Sequence, residues 1–264
     1  MPKRLQRTSI AELKEDIQEE YSPEVVKIVE EQAATIEPGQ DHPQYERVIY
    51  VAIMPDDSGS IAGLNALQRD NTQAVIDGHN NVITELKKSR EARFMLVKTQ
   101  YLNSDTALNN WVPLDKVALM TRDNFKPVGG TPLYDRALSL LTSVMYEKTE
   151  AEKRGQQARW GILLLTDGDD TTSTNSADKV KLILDNMKRK GELLESCEAN
   201  NMSAGSIALM GIEDRETNPQ AGAYFEQMAH AMGIYWVLHA NSADARSMRR
   251  AFNTFSEGMI SAGR

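Results

Sequence analysis

Two apolar patterns alternate along the chain. One is a short unbroken run closed by a turn residue; the other is a stripe at spacings of three and four. Val48-Ile49-Tyr50-Val51-Ala52-Ile53-Met54 is a run of the first kind, stopped by Pro55. Further strand-like segments are Arg93 to Tyr101, Gly161 to Thr166, Ser203 to Ile212 and Ile234 to His239. Runs of this length between turn signals read as strands buried on both faces of a parallel sheet. Trp111-Val112-Pro113-Leu114 reads as a short edge strand, because an interior strand would not tolerate Pro113.

Helices are expected between these strands. Leu64 to Ser89 places Leu67, Ala74, Val75, Val82, Ile83 and Leu86 on an inner face that Asn71, Gly78 and His79 interrupt. Its end at Lys87-Lys88 suits a helix C-terminus. Leu133 to Glu150 carries Leu133, Ala137, Leu140, Leu141, Val144 and Met145, and Glu147 to Gln157 reads as its charged exit. Ser176 or Asp178 starts a helix through Val180, Ile183, Leu184 and Met187, which Gly191 ends or kinks. Tyr224 to Met232 is helical, and Ser242 caps a last helix with Met248, Ala251, Phe252, Phe255 and Met259. Strands alternating with helices imply a parallel sheet, right-handed crossovers and helices on both faces.

The first 44 residues stand apart. Thr8 or Ser9 caps a helix, with Glu12 as reciprocal partner of Ser9, and Ile10, Leu13, Ile17 and Tyr21 form its stripe. Pro23 opens a second helix bearing Val25, Val26, Ile28 and Val29. Glu37 to Pro43 is a linker by composition. The expected division is a helical extension over 1–44, separable from a domain over 45–264. Whether the extension packs on the domain, waves in solvent or docks a partner is left open by the pattern.

Composition narrows the setting. A net charge of −8 lacks the basic stripe of a nucleic-acid binder. Cys197 is the single cysteine, so an internal disulfide is ruled out, which fits a reducing compartment. No apolar run approaches the roughly 20 residues of a membrane span. The basic Met1 to Arg7 is followed by no apolar core and is not a secretory signal. A cytoplasmic protein, without nucleic-acid or membrane partners, is expected.

The chemistry gathers at strand ends. Asp56, Ser58 and Ser60 are three oxygen donors within five residues, directly after the first apolar run. Open α/β sheets place ligands at the carboxyl ends of such strands. A hard divalent cation takes oxygen ligands, in octahedral geometry at about 2.1 Å for Mg²⁺, and one loop supplies only part of that shell. Thr131, in Gly129-Gly130-Thr131-Pro132, is a hydroxyl at a helix start, and Asp167 closes the run Gly161 to Thr166.

These three parts, in this order, resemble the metal-ion-dependent adhesion site of von Willebrand factor type A domains, the integrin I-domain fold. The resemblance covers Tyr45 to the C-terminus. It implies a doubly wound, Rossmann-like sheet of about six strands, mostly parallel, with one short antiparallel edge strand and helices on both faces. It implies a metal held by Asp56, Ser58, Ser60, Thr131 and Asp167: Mg²⁺, with Mn²⁺ or Ca²⁺ as alternatives. At least one Asp of such a site acts through a water, so the cation keeps an open position for an Asp or Glu carboxylate of a protein partner. Cytoplasmic relatives often work beside AAA+ ATPases, which places such an ATPase among the expected partners. Asp57, Asp169 and Asp170 read as rim carboxylates; raising cation affinity through local potential is the other reading.

No catalytic residue is expected. An aspartyl phosphotransferase would close its first strand with D-x-D, but Asp56 is followed two positions on by Ser58. There is no G-x-S-x-G elbow and no phosphate-binding G-x-x-x-x-G-K-[ST]. His42, His79, His230 and His239 show no zinc-ligand spacing, and His79 reads as a packed or solvent-facing residue. A metal-dependent hydrolase or phosphatase, and a structural domain with a vestigial site, are the alternatives to a binding module.

Overall fold

A computed structural model describes residues 10–33, 45–63, 70–194, 205–213, 220–241 and 245–261. Helices α1 (Ile10–Glu20) and α2 (Pro23–Ala33) come first, then β1 (Arg47–Pro55), α3 (Thr72–Lys87), β2 (Met95–Gln100) and β3 (Ala107–Pro113). There follow α4 (Leu133–Lys153), β4 (Gln157–Thr166), α5 (Ala177–Arg189), β5 (Ser206–Glu213), α6 (Ala221–Ala231), β6 (Trp236–Asn241) and α7 (Ala245–Ser261). The strands form one six-stranded sheet in the order β3-β2-β1-β4-β5-β6. All neighbours are parallel except β3, which runs antiparallel to β2 at the edge. This is the doubly wound α/β fold that the alternation predicts.

Both faces of the sheet are covered, which explains the unbroken apolar runs. In β1, Val48, Tyr50, Ala52 and Met54 face the layer of α4, α5 and α6. Ile49, Val51 and Ile53 face α3 and α7. β4 divides in the same way, with Ile162 and Leu164 on the first face and Leu163 and Leu165 on the second. β3 ends on Pro113, where the missing donor costs the ladder least. Within β3, Trp111 has a positive φ of 47° beside a register irregularity. The ring is fully buried against Tyr50, and its indole N–H donates to Ser143 Oγ of α4 at 3.0 Å.

Helix α3 begins at Thr72, whose N–H donates to Asp70 Oδ1 at 2.9 Å; Leu67 lies outside the described residues. Gly78 and His79 do not break its inner face, contrary to the sequence reading. Both are buried, and Gly78 leaves room for the Phe252 ring of α7. The charged exit expected at Glu147 is also absent. α4 continues to Lys153, with Glu147, Lys148 and Glu150 buried. At this end Lys148 Nζ donates to Glu152 and Glu192, and Lys153 pairs with Asp16 of α1.

The N-terminal helices pack on α4 and α5. Ile17, Val25, Val26, Ile28 and Val29 are buried in the same apolar cluster as Leu141, Val144 and Ile183. Tyr21 hydrogen-bonds Glu192, Lys190 pairs with Glu20, and Lys179 with Glu31. Cys197, the Ser9 and Ser242 caps and the linker at 37–43 lie outside the described residues, as do the side chains of Ile10, Leu13, Met248 and Met259. Among the described residues no helix is long and apolar enough to cross a membrane.

Candidate metal centre

The sheet order reverses between β1 and β4. The chain leaves β1 toward β2 on one side and reaches β4, after β3, on the other. Doubly wound sheets bind ligands at this switch point, outside the carboxyl ends of the strands. Pro55 pairs with Leu165 across the two strands, so Asp56 and Asp167 emerge at the same edge.

Asp56, Asp57 and Ser58 are each 0–1% exposed, and Thr131 is 5% exposed. Asp56 Oδ1 accepts from the Ser58 N–H at 2.8 Å, which folds the loop back under its own carboxylate. Asp56 Oδ2 accepts from the Thr166 hydroxyl at 2.7 Å. Ser58 Oγ and Ser60 Oγ lie 2.8 Å apart, and Ser60 Oγ donates to Asp167 Oδ1 at 2.6 Å. Asp56, Ser58, Ser60 and Asp167 thus share one hydrogen-bonded cluster across the two strand ends.

Thr131 joins through backbone. Gly59 N–H donates to Gly129 O at 3.1 Å and Val128 N–H to Asp57 O at 2.7 Å, so its loop lies directly on the loop of Ser58. The two glycines are needed for that fit. Gly129 sits at φ +83°, and a Cβ there would lie 2.8 Å from Asn103 Nδ2. A Cβ on Gly130 would lie 2.7 Å from Thr172 Cγ2.

Burial raises the pKa of Asp56, against the pull of its bonds to Ser58 and Thr166. Asp167 is pushed up to about 7 by burial first and then by the charge of Asp56, while the Ser60 hydroxyl opposes the shift. Two carboxylates therefore strain against one another in a desolvated cleft. Among the described residues their side-chain hydrogen-bond partners are Ser58, Thr166 and Ser60, none of them basic. A bound cation or a shared proton would relieve that repulsion, and an all-oxygen donor set is of the kind a hard divalent ion takes. Among the described residues no group of three or more His, Cys, Asp or Glu side chains is arranged to hold a metal. The candidate set has two carboxylates and completes its donors with hydroxyls.

The three extra carboxylates part company. Asp169 is exposed, as a rim residue should be. Asp57 is not on the rim: it is buried and accepts from Asn103 N–H, Ser104 N–H and Ser104 Oγ, tying the loop after β2 to the loop after β1. Asp170 is half-buried and accepts from Ser173 and from the Tyr134 N–H in the first turn of α4. Thr166 and Thr171 escaped the sequence reading. The hydroxyl of Thr166, one residue before Asp167 in a buried run, was the available signal. Thr171 had none, because its partner is forty residues away.

No protein-family model and no curated protein matches the sequence. Solved structures do. The PilB minor pilin from Streptococcus sanguinis matches with TM-score 0.51 at 14% identity, over 84% of this chain and 63% of that one. The pilus adhesin SpaC from Lactobacillus rhamnosus GG matches with TM-score 0.49 at 12% identity, over 84% of this chain and 32% of the adhesin. The SpRpn10 VWA domain matches with TM-score 0.43 at 11% identity, over 78% of this chain and 95% of that domain. This chain spans less than two thirds of either pilus protein. Of these three, the minor pilin alone has a TM-score above 0.5, and at 14% identity that similarity reaches the fold and no further.

Proposed function

We propose that the protein is a metal-dependent protein-binding module and has no catalytic turnover of its own. The observation that carries this is the cluster joining Asp56, Ser58 and Ser60 to Asp167 across the switch point. Asp56, Ser58, Ser60, Thr131 and Asp167 would hold a Mg²⁺ ion, with Mn²⁺ or Ca²⁺ as alternatives. The bound ion would supply an electrophilic position for one Asp or Glu carboxylate of a protein partner. The chain's own part is to keep the carboxylates desolvated and the hydroxyls fixed, so that the site is not saturated by its own charges. A low-dielectric cleft strengthens the pull on an anion. The resemblance of the motif to the type A adhesion site supports the same reading. A cytoplasmic setting and an AAA+ ATPase partner belong to the proposal through that resemblance.

Calorimetry tests the metal. MgCl₂ titrated into the full chain should show one saturable site that Asp56→Ala and Asp167→Ala abolish. Mg²⁺ at a hundred times its Kd should stabilise the fold by about 2.7 kcal/mol, and EDTA should reverse it. A chain that takes up no divalent ion overturns the reading. Partner docking has its own test: a partner held in Mg²⁺, released by EDTA and lost on Thr131→Ala with the fold intact. A partner that stays bound through all three uses another surface. A phosphatase or peptidase activity lost on Ser58→Ala would replace the binding module with an enzyme.

A further inference from the structure

We propose that Thr171, with Asp170 and Asp135, is a positioning residue of the candidate metal centre: the loop after β4 grips the loop before α4 and sets where the Thr131 hydroxyl stands. This rests on the metal reading above and adds residues that lie outside the motif.

The grip is a two-way exchange. Thr131 N–H donates to Thr171 Oγ1 at 2.8 Å, and Thr171 N–H donates to Thr131 O at 2.9 Å. Both backbone polar groups of Thr131 are thereby committed to one residue. Threonine is stiff at χ1, so holding its backbone largely fixes its hydroxyl. Next along, Tyr134 N–H donates to Asp170 Oδ2 at 3.1 Å and Asp135 N–H to Ser173 Oγ at 3.1 Å. The first turn of α4 therefore finds acceptors in another loop instead of in its own N-cap residue, Pro132, which has no side-chain cap bond.

The favour is returned by Asp135. Its Oδ1 accepts from Asn175 N–H at 2.9 Å and Asn175 Nδ2 at 2.7 Å. Its Oδ2 accepts from Thr174 N–H at 2.8 Å and Thr174 Oγ1 at 3.1 Å. Four bonds to the ionised carboxylate hold its pKa below the usual value, despite partial burial. The close approach of Gly130 to Thr172 leaves no slack between the loops. Thr131 and Asp167 sit at the roots of these two loops, so the clasp fixes the distance between two of the proposed ligands.

The test uses Mg²⁺ alone as probe on the full chain. Thr171→Val keeps shape and removes the acceptor; Thr171→Ser keeps the acceptor. The Val variant should bind Mg²⁺ about tenfold more weakly, the worth of one lost hydrogen bond, with the Ser variant near wild type. In the absence of metal, amide hydrogen exchange at Thr131 should quicken in the Val variant and not in the Ser variant. Asp135→Asn, which puts a donor against the Thr174 or Asn175 donors, should weaken Mg²⁺ by a similar factor. Equal affinity in wild type and Thr171→Val, or equal weakening by Val and Ser, overturns the inference while leaving the metal reading standing. A wild-type chain that binds no Mg²⁺ overturns both.

Discussion

His79 shows how one side chain's surroundings decide a pH response. It is fully buried on α3, with Nε2 2.9 Å from Thr99 Oγ1 and Nδ1 3.1 Å from Asn80 Oδ1. Asn80 Oδ1 also accepts from Met120 N–H, so it faces an Nδ1–H, and Nε2 is left to accept from Thr99. That network fits the neutral ring. Burial lowers the His79 pKa to about 4, so the unfolded chain binds the extra proton first as pH falls. The contribution of His79 should therefore be complete above about pH 6.5 and decline from there toward pH 4, by about 2 kcal/mol at pH 5, while protonation of the raised Asp167 works in the opposite direction over the same range. Urea melts of wild type and His79→Gln at pH 7 and pH 5 isolate it: the variant should lose about 2 kcal/mol less than wild type, or gain that much more, on going to pH 5, and equal pH responses would overturn the assignment. Asp57 makes the complementary point without a titration. Asp57→Ala would strand the Asn103 and Ser104 donors, and should cost about 1–3 kcal/mol in the same melts. A silent substitution would return Asp57 to the rim role suggested by its neighbours in sequence.

At the scale of elements, small residues set how closely layers approach. α3 and α7 meet where Phe252 rests on Gly78; a Cβ on Gly78 would lie 1.9 Å from Phe252 Cε2. Helix propensity alone favours Ala over Gly by about 1 kcal/mol, but overpacking a closed core costs about 1–3 kcal/mol. The clash is severe and the ring fully buried, so the packing term wins. Gly78→Ala should lower stability in denaturant melts, and a second change, Phe252→Leu, should recover part of the loss. If Gly78→Ala stabilises instead, the helices separate more easily than their contact suggests. The bend at Trp111 belongs to the same scale. A positive φ costs an L-residue roughly 1–2 kcal/mol, offset here by a fully buried indole with a satisfied N–H.

At the scale of the molecule, the question is what the N-terminal helices contribute. Ile17, Val25, Val26, Ile28 and Val29 are buried against α4 and α5. Fully burying such side chains is worth about 1.5–3 kcal/mol each as an upper bound. The Lys179–Glu31 pair is about 40% exposed on both sides and adds about 0–1 kcal/mol. Apolar contact dominates, so a chain beginning at Tyr45 should melt about 10 °C or more below the full chain. A truncated chain with the full melting temperature would make the helices the separable extension that composition suggests.

The sequence by itself determined the elements and their order. Runs such as Val48 to Met54 are apolar throughout because both faces are covered, and that signal is local. The motif residues Asp56, Ser58, Ser60, Thr131 and Asp167 were legible for the same reason: each stands at the end of a readable strand or the start of a readable helix. Tertiary structure alone decided what their neighbours do. Asp57, Asp170 and Thr171 look like ordinary polar loop residues and Asp135 like an ordinary acid in a first helical turn, because the partners that tie one loop to another lie 36 to 47 positions away. Glu147 and Lys148 read as a solvated exit until α1 and α2 are laid near that end of α4. Gly78 and His79 looked like breaks in a face until Phe252 and Thr99 supplied a ring to receive and a hydroxyl to meet. Periodicity reports whether a position is apolar; it carries no record of which distant group will satisfy a polar one.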